Sequence, residues 1–213
     1  MDNYKITFET WDKLASKYQD KFMDLDLYDD TYDLFCRYLE KPDAKVFEIG
    51  CGPGNITRYL LSKRPGLKIE AIDVAPSMVK LAKENNPAAE FTTMDCREID
   101  KTNSRFDAVM CGFCMPYLSK EDCAKLIKDC WGLLNDSGIF YFSAIEDDYS
   151  KSGYEISSDG QYRMYVYSHE AAYLEEMLKR NNFEVLVLNR KHYEKGNGDS
   201  ATHIIFIAKK KAI

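Results

Sequence analysis

Through the middle of the chain, short apolar runs alternate with stretches in which apolar residues recur every three or four positions, the signature of strands followed by helices. Val46, Phe47 and Ile49 make 45–49 a buried strand, and Ile56, Tyr59, Leu60 and Leu61 then set a helix over about 54–63 that stops near Pro65-Gly66. A second strand is expected over 68–73, followed by a helix over 76–84 that opens on Pro76. Third and fourth strands fall at 90–94 and 106–111. Ser119-Lys-Glu-Asp122 has the form of a capping box, opening a helix with Cys123, Leu126, Ile127, Cys130 and Leu134 on one face. Asn135-Asp-Ser-Gly138 ends that helix, 138–143 reads as the fifth strand, and Ser168 is the expected cap of a helix over about 169–181.

Such alternation argues a parallel sheet covered by helices. The last two strands, 184–192 and 202–208, are separated by a Gly196-Asn-Gly198-Asp loop too short for a crossover, so they are expected to run antiparallel. The expected fold is α/β: a seven-stranded, mostly parallel Rossmann-like sheet with helices on both faces, its last strand antiparallel, and an N-terminal helical extension.

The turn after the first strand carries most of the functional information. Gly50, Gly52 and Gly54 let the chain bend tightly and bring backbone N–H groups close to a ligand's polar end. A dinucleotide fingerprint needs a further glycine at position 55, which is Asn55. The glycines fall instead at every second residue after Glu48, with Pro53 stiffening the turn. This pattern resembles the first motif of the class I S-adenosylmethionine-dependent methyltransferases, as does the antiparallel ending, and the resemblance covers residues 45–208. A tight strand–helix turn without a ligand is the plainer alternative.

The resemblance implies S-adenosylmethionine as cofactor and a set of site residues. Glu48, Gly50, Cys51, Gly52 and Gly54 would form its seat, and Asp73 with Val74, ending the second strand, would take the ribose. Asp95 and Cys96 would meet the adenine edge, Met78 an adenine face, and Cys111 and Gly112 the methionine amine. Tyr18 resembles a tyrosine placed over the cofactor's amino-acid end. Each has a structural alternative: a helix cap for Asp73, a solvated turn acid for Asp95, and core packing for Met78 and Tyr18.

A net charge of −6 disfavours nucleic acid as a partner, and no apolar stretch approaches the length of a membrane span. The polar start, Met1-Asp-Asn-Tyr-Lys5, carries no secretory leader, and seven cysteines without a disulfide framework fit a reducing compartment, so a cytoplasmic protein is expected. Cys111, Cys114, Cys123 and Cys130 can be written as zinc ligands, but their apolar strand and helix contexts favour packing, and no metal is expected.

One domain accommodates the 213 residues: a helical lid over 1–44, a cofactor core over 45–143, a substrate flap over 144–167, and a terminal helix and hairpin over 168–213. In the flap, Asp159-Gly160 centres a hairpin that sets Tyr162 and Met164 with Ser157 and Glu155 on one face, and Arg163 and Tyr165 with Ile156 and Tyr154 on the other. Tyr117, Tyr154, Arg163 and Tyr165 are the candidate substrate contacts, against a ribbon that merely packs on the sheet or on another subunit. His169 is the candidate base, against a surface histidine at a helix start, while His192 and His203 are expected to be structural. The reading is methyl transfer to oxygen or nitrogen of a small molecule by a monomer or homodimer. A nicotinamide-dependent oxidoreductase, a protein or RNA methyltransferase and a non-catalytic binder are the alternatives.

Overall fold

The computed structural model describes residues 3–157, 160–195 and 198–212. Two helices come first, α1 (Asn3–Phe22) and α2 (Asp29–Tyr38), and then the alternating unit: β1 (Lys45–Ile49), α3 (Asn55–Lys63), β2 (Lys68–Asp73), α4 (Pro76–Asn85), β3 (Glu90–Thr93) and β4 (Phe106–Cys111). Next are α5 (Lys120–Leu133), β5 (Leu134–Glu146), β6 (Gly153–Ile156), β7 (Arg163–Val166), β8 (Ser168–His169), α6 (Ala171–Arg180), β9 (Phe183–Lys195) and β10 (Asp199–Lys210). The main sheet has the order β3-β2-β1-β4-β5-β10-β9, with β8 added beside the end of β5. Pairs from β3 to β5 are parallel, and β10 runs antiparallel to both neighbours, as the short terminal loop requires. Gly196 and Asn197 of that loop lie outside the described residues.

Both faces of the sheet's centre are buried, which is why β1, β4 and β5 read as nearly continuous apolar runs. Phe140, Phe142, Phe206 and Val109 point to a layer completed by Cys123, Leu126, Ile127 and Cys130 of α5 and Leu174 and Leu178 of α6. The alternate residues Tyr141, Ile205 and Met110 point the other way, onto Tyr32, Phe35 and Cys36 of α2 and Ile56 and Leu60 of α3. Cys111, Cys123 and Cys130 are therefore packing residues of one layer.

Two boundaries differ from the sequence reading. The segment 135–138 does not end the sheet pattern: β5 begins at Leu134, and the extra residues are absorbed by a register shift opposite Phe106 and Ala108, with Asn135 Nδ2 donating to Asp107 at 3.0 Å. Ser168 is not a helix cap, because its backbone pairs with Ile145 of β5 and delays α6 to Ala171. The hairpin β6–β7 has the expected register, Tyr154 opposite Tyr165 and Ile156 opposite Arg163, although Asp159 of its turn lies outside the described residues. Among the described residues, no helix is long and apolar enough to cross a membrane.

Candidate functional site

A cleft opens at the carboxyl ends of β1, β2 and β4, where ligands of open α/β sheets bind. Its floor is the turn after β1. Gly50 and Cys51 both donate their N–H to the carbonyl of Ile72, at 2.8 and 3.0 Å, which ties the turn to β2. Gly50 and Gly52 stand at φ +70° and +53°, the left-handed region, and a Cβ at Gly50 would lie 3.0 Å from that of Cys114. Gly54 is buried elsewhere: Asn86 of the α4 terminus donates to its carbonyl at 3.0 Å, so this glycine serves packing between α3 and α4.

Asp73 ends β2 inside the cleft. Its Oδ2 accepts from Gly52 N and its Oδ1 from Ala75 N, both at 2.9 Å. Burial pushes its carboxyl up, and these N–H groups oppose the shift. Each oxygen keeps a lone pair for a ligand hydroxyl. Asp73 thus holds the turn after β1 and the residue before α4, whose N-cap Ala75 has no side-chain cap bond, so the expected helix-cap role is not seen.

Asp95 lies across the cleft and is engaged by Arg97, whose Nη2 donates at 2.6 Å and whose backbone N donates at 2.9 Å. Burial raises its carboxyl, but the bonds from the Arg97 side chain and N–H outweigh this and hold it below the usual carboxylate range. Cys96 follows, its Sγ 3.6 Å from that of Cys114, and Val74 and Met78 add apolar wall. Gly112 lies at the end of β4, next to Phe113, whose φ is +59° and whose N–H donates to Ser143 Oγ at 2.8 Å.

The cleft is roofed by α1. Tyr18 stands over the turn, 3.6 Å from where a Gly52 Cβ would sit, and meets Trp11 edge-on at 5.4 Å between centroids. Phe8 and Trp11 share the face of Tyr18, and Trp11 also meets Tyr117 at 5.5 Å. Phe8 and Trp11 were missed by sequence reasoning although the spacing 8, 11, 15, 18 marks one helical face. Ile72, Met94, Cys114 and Leu118 were missed too, whereas Phe113, expected with Cys111 and Gly112 at the end of the fourth strand, does line the cleft.

Several expected site residues fall outside the cleft. Glu48 does not face it but lies behind the turn, 1% exposed, with Oε2 accepting from Thr57 Oγ1 at 2.5 Å and Oε1 without a partner among the described residues. Burial raises its carboxyl to about 8. Cys51 and Cys111 are likewise buried beside the cleft and do not line it.

His169 is no surface histidine. It is fully buried in β8, and its Nε2 donates to the carbonyls of Met115 and Leu118 at 3.2 and 3.1 Å, so it braces the 115–118 turn and does not serve the cleft as a base. Burial holds its imidazole below the ordinary range.

Of the substrate candidates, only Tyr117 lines the cleft. The hairpin register turns Met164 and Val166 onto Leu14 of α1, which leaves Arg163 and Tyr165 on the opposite side and Tyr154 40% exposed beneath the Arg163 guanidinium. Thr10 Oγ1 and Thr7 Oγ1 bond the backbone of Arg163 and Tyr165, so β7 buttresses α1 from outside.

Residues 46–138 match the family described as a methyltransferase domain. A trans-aconitate 2-methyltransferase of Mycobacterium ulcerans is 47% identical over 66 residues, 31% of this chain, so the match spans about a quarter (24%) of that relative's length. Two solved structures are similar over nearly the whole chain. Magnesium protoporphyrin IX methyltransferase of Synechocystis, with bound S-adenosylhomocysteine, superposes with a TM-score of 0.75 at 15% identity, covering 99% of this chain and 100% of that one. Burkholderia thailandensis 1,6-didemethyltoxoflavin-N1-methyltransferase gives 0.73 at 18% identity, covering 100% and 92%.

Proposed function

We propose that this chain, a member of the class I S-adenosylmethionine-dependent methyltransferase family, transfers a methyl group from that cofactor to oxygen or nitrogen of a small-molecule acceptor. One observation carries the reading: the glycine turn, Asp73 and Asp95 converge on one cleft at the strand ends. The cleft fits the group, since two positions without a Cβ open the floor and a carboxylate with free lone pairs stands at the end of β2.

When bound, S-adenosylmethionine supplies a methyl group already activated as a sulfonium. Gly50 and Gly52 would admit its amino-acid end, with Tyr18 above and the Gly112 backbone beside it. Asp73 would accept the ribose hydroxyls while its N–H bonds hold it in place. Val74 and Met78 would pack on the adenine, and the Cys96 backbone beside Asp95 would meet its edge. Roofing by α1 keeps water out and fixes the approach, which supplies alignment and desolvation.

Among the described residues, no histidine or lysine lines the cleft, and His169 is turned onto the 115–118 carbonyls, away from any role as base. The relatives named for small-molecule substrates support a small acceptor here. Seven free cysteines support a reducing, cytoplasmic setting. Calorimetry with S-adenosylmethionine, S-adenosylhomocysteine and NAD tests the assignment; binding of NAD with neither sulfur compound would overturn it.

A further inference from the structure

All seven cysteines of the chain are free thiols, and of these only Cys96 and Cys114 line the cleft. Cys96 follows Asp95 in the loop after β3, Cys114 stands in the loop after β4, and their Sγ atoms lie 3.6 Å apart. Two loops from different strands thus meet through a pair of thiols in contact. Cys114 is the more open of the two, half-buried where Cys96 is buried. Cys111 also touches the Cys114 thiol, but it is fully buried and does not line the cleft. Behind Cys114 lies the glycine turn, where a Cβ at Gly50 would stand 3.0 Å from that of Cys114. A disulfide is about 2.0 Å long, so joining the pair would bring the sulfurs together by about 1.6 Å.

We propose that Cys96 and Cys114 are a modification site, oxidised by hydroperoxides to a reversible disulfide, and that this bond and the cofactor oppose each other in the cleft. The second half of the inference rests on the cofactor reading given above. Cys114 Sγ attacks one peroxide oxygen and the O–O bond breaks; the thiol proton leaves with the expelled oxygen as water, and Cys114 becomes a sulfenic acid. Cys96 Sγ then attacks that sulfur. The S–S bond forms, the S–O bond breaks, and the departing hydroxyl takes the Cys96 proton as a second water. The two thiols lose two electrons in all, and the peroxide gains them. Contact with a neighbouring thiol and burial hold both groups well above their usual range, Cys96 beside Cys114 and Cys114 beside Cys111, so the pair answers sustained oxidant and not a brief pulse. Drawing the sulfurs together moves either the Cys96 backbone, at the adenine edge, or Cys114 where it meets the Gly50 turn. Either movement deforms the seat and weakens the cofactor, and by linkage the bound cofactor disfavours the bond.

The test holds the reduced chain in excess hydrogen peroxide, with and without S-adenosylhomocysteine, and maps its peptides by mass spectrometry. A Cys96–Cys114 bridge is expected, lacking two hydrogen atoms, reversed by dithiothreitol, and formed more slowly with S-adenosylhomocysteine bound. Calorimetry should find S-adenosylhomocysteine bound about tenfold more weakly by the oxidised chain, with recovery on reduction. Cys96→Ser should form no bridge and leave on Cys114 a sulfenic acid that dimedone captures. Peroxide that yields no bridge, a bridge from Cys114 to Cys111 in its place, or a bridged chain with unaltered S-adenosylhomocysteine affinity overturns the inference. Failure of S-adenosylhomocysteine to bind the reduced chain counts against the cofactor reading alone, while the peptide map still decides the bridge.

Discussion

Asp73 Oδ2 accepts the N–H of Gly52 at 2.9 Å, so the acid that ends β2 holds the turn that follows β1. Asp73→Ala should therefore act twice. Cofactor affinity falls by about 1–3 kcal/mol through lost ribose bonds, and thermal stability falls because the N–H groups of Gly52 and Ala75 lose their acceptor. Calorimetry and a melting curve separate the two; unchanged affinity removes Asp73 from the site.

Gly52→Ala separates fold from function. The left-handed backbone at φ +53° costs about 1–2 kcal/mol with a Cβ present, and that Cβ enters the cleft in ordinary contact with Tyr18, at 3.6 Å. The expected outcome is a modest drop in melting temperature with a loss of cofactor binding of tenfold or more, about 1.4 kcal/mol. Equal affinity in the variant would move the ligand away from the turn.

Glu48 makes stability fall as pH rises. Its folded carboxyl titrates at about 8, against an ordinary value of 4.5, so the unfolded chain releases this proton first and gains over the folded one between those two values. The loss is on the order of 4 kcal/mol by pH 8. Glu48→Gln should flatten this slope in denaturant titrations from pH 5 to 9. A slope unaltered by the substitution would show that Glu48 is ionised when folded.

His203 acts in the opposite direction. Burial lowers its folded value to about 4 from 6.5, so the unfolded chain takes up a proton that the folded chain refuses. Its contribution is intact above about pH 6.5 and is lost as pH falls to about 4, by about 3 kcal/mol in all. Replacing it with Gln should remove this acid-side slope in melts between pH 4 and 7.

The sheet was legible because its central strands, β1, β4 and β5, are runs buried on both faces and the turns have their own chemistry. The register of the 153–166 hairpin was legible from a two-residue turn. The cleft floor was legible because glycine spacing and strand-end acids are local features. Placement by distant partners was not: Ser168 looks like a cap until β5 takes its backbone, and Glu48 looks like a cleft acid until Thr57 draws it behind the turn. Arg163 and Tyr165 share a face as expected, yet which face meets α1 depended on Leu14, far away in sequence. The roof formed by Phe8 and Trp11 had a helical pattern, but nothing local states what that face covers.

Phe113 combines a left-handed backbone with a ring that borders both the cleft and the Tyr28–His203 pair. Glycine relieves the backbone there and deletes the ring. Variant libraries ranked by heat resistance and by ligand capture should therefore choose opposite residues at this one codon, making it a direct gauge of what each screen rewards.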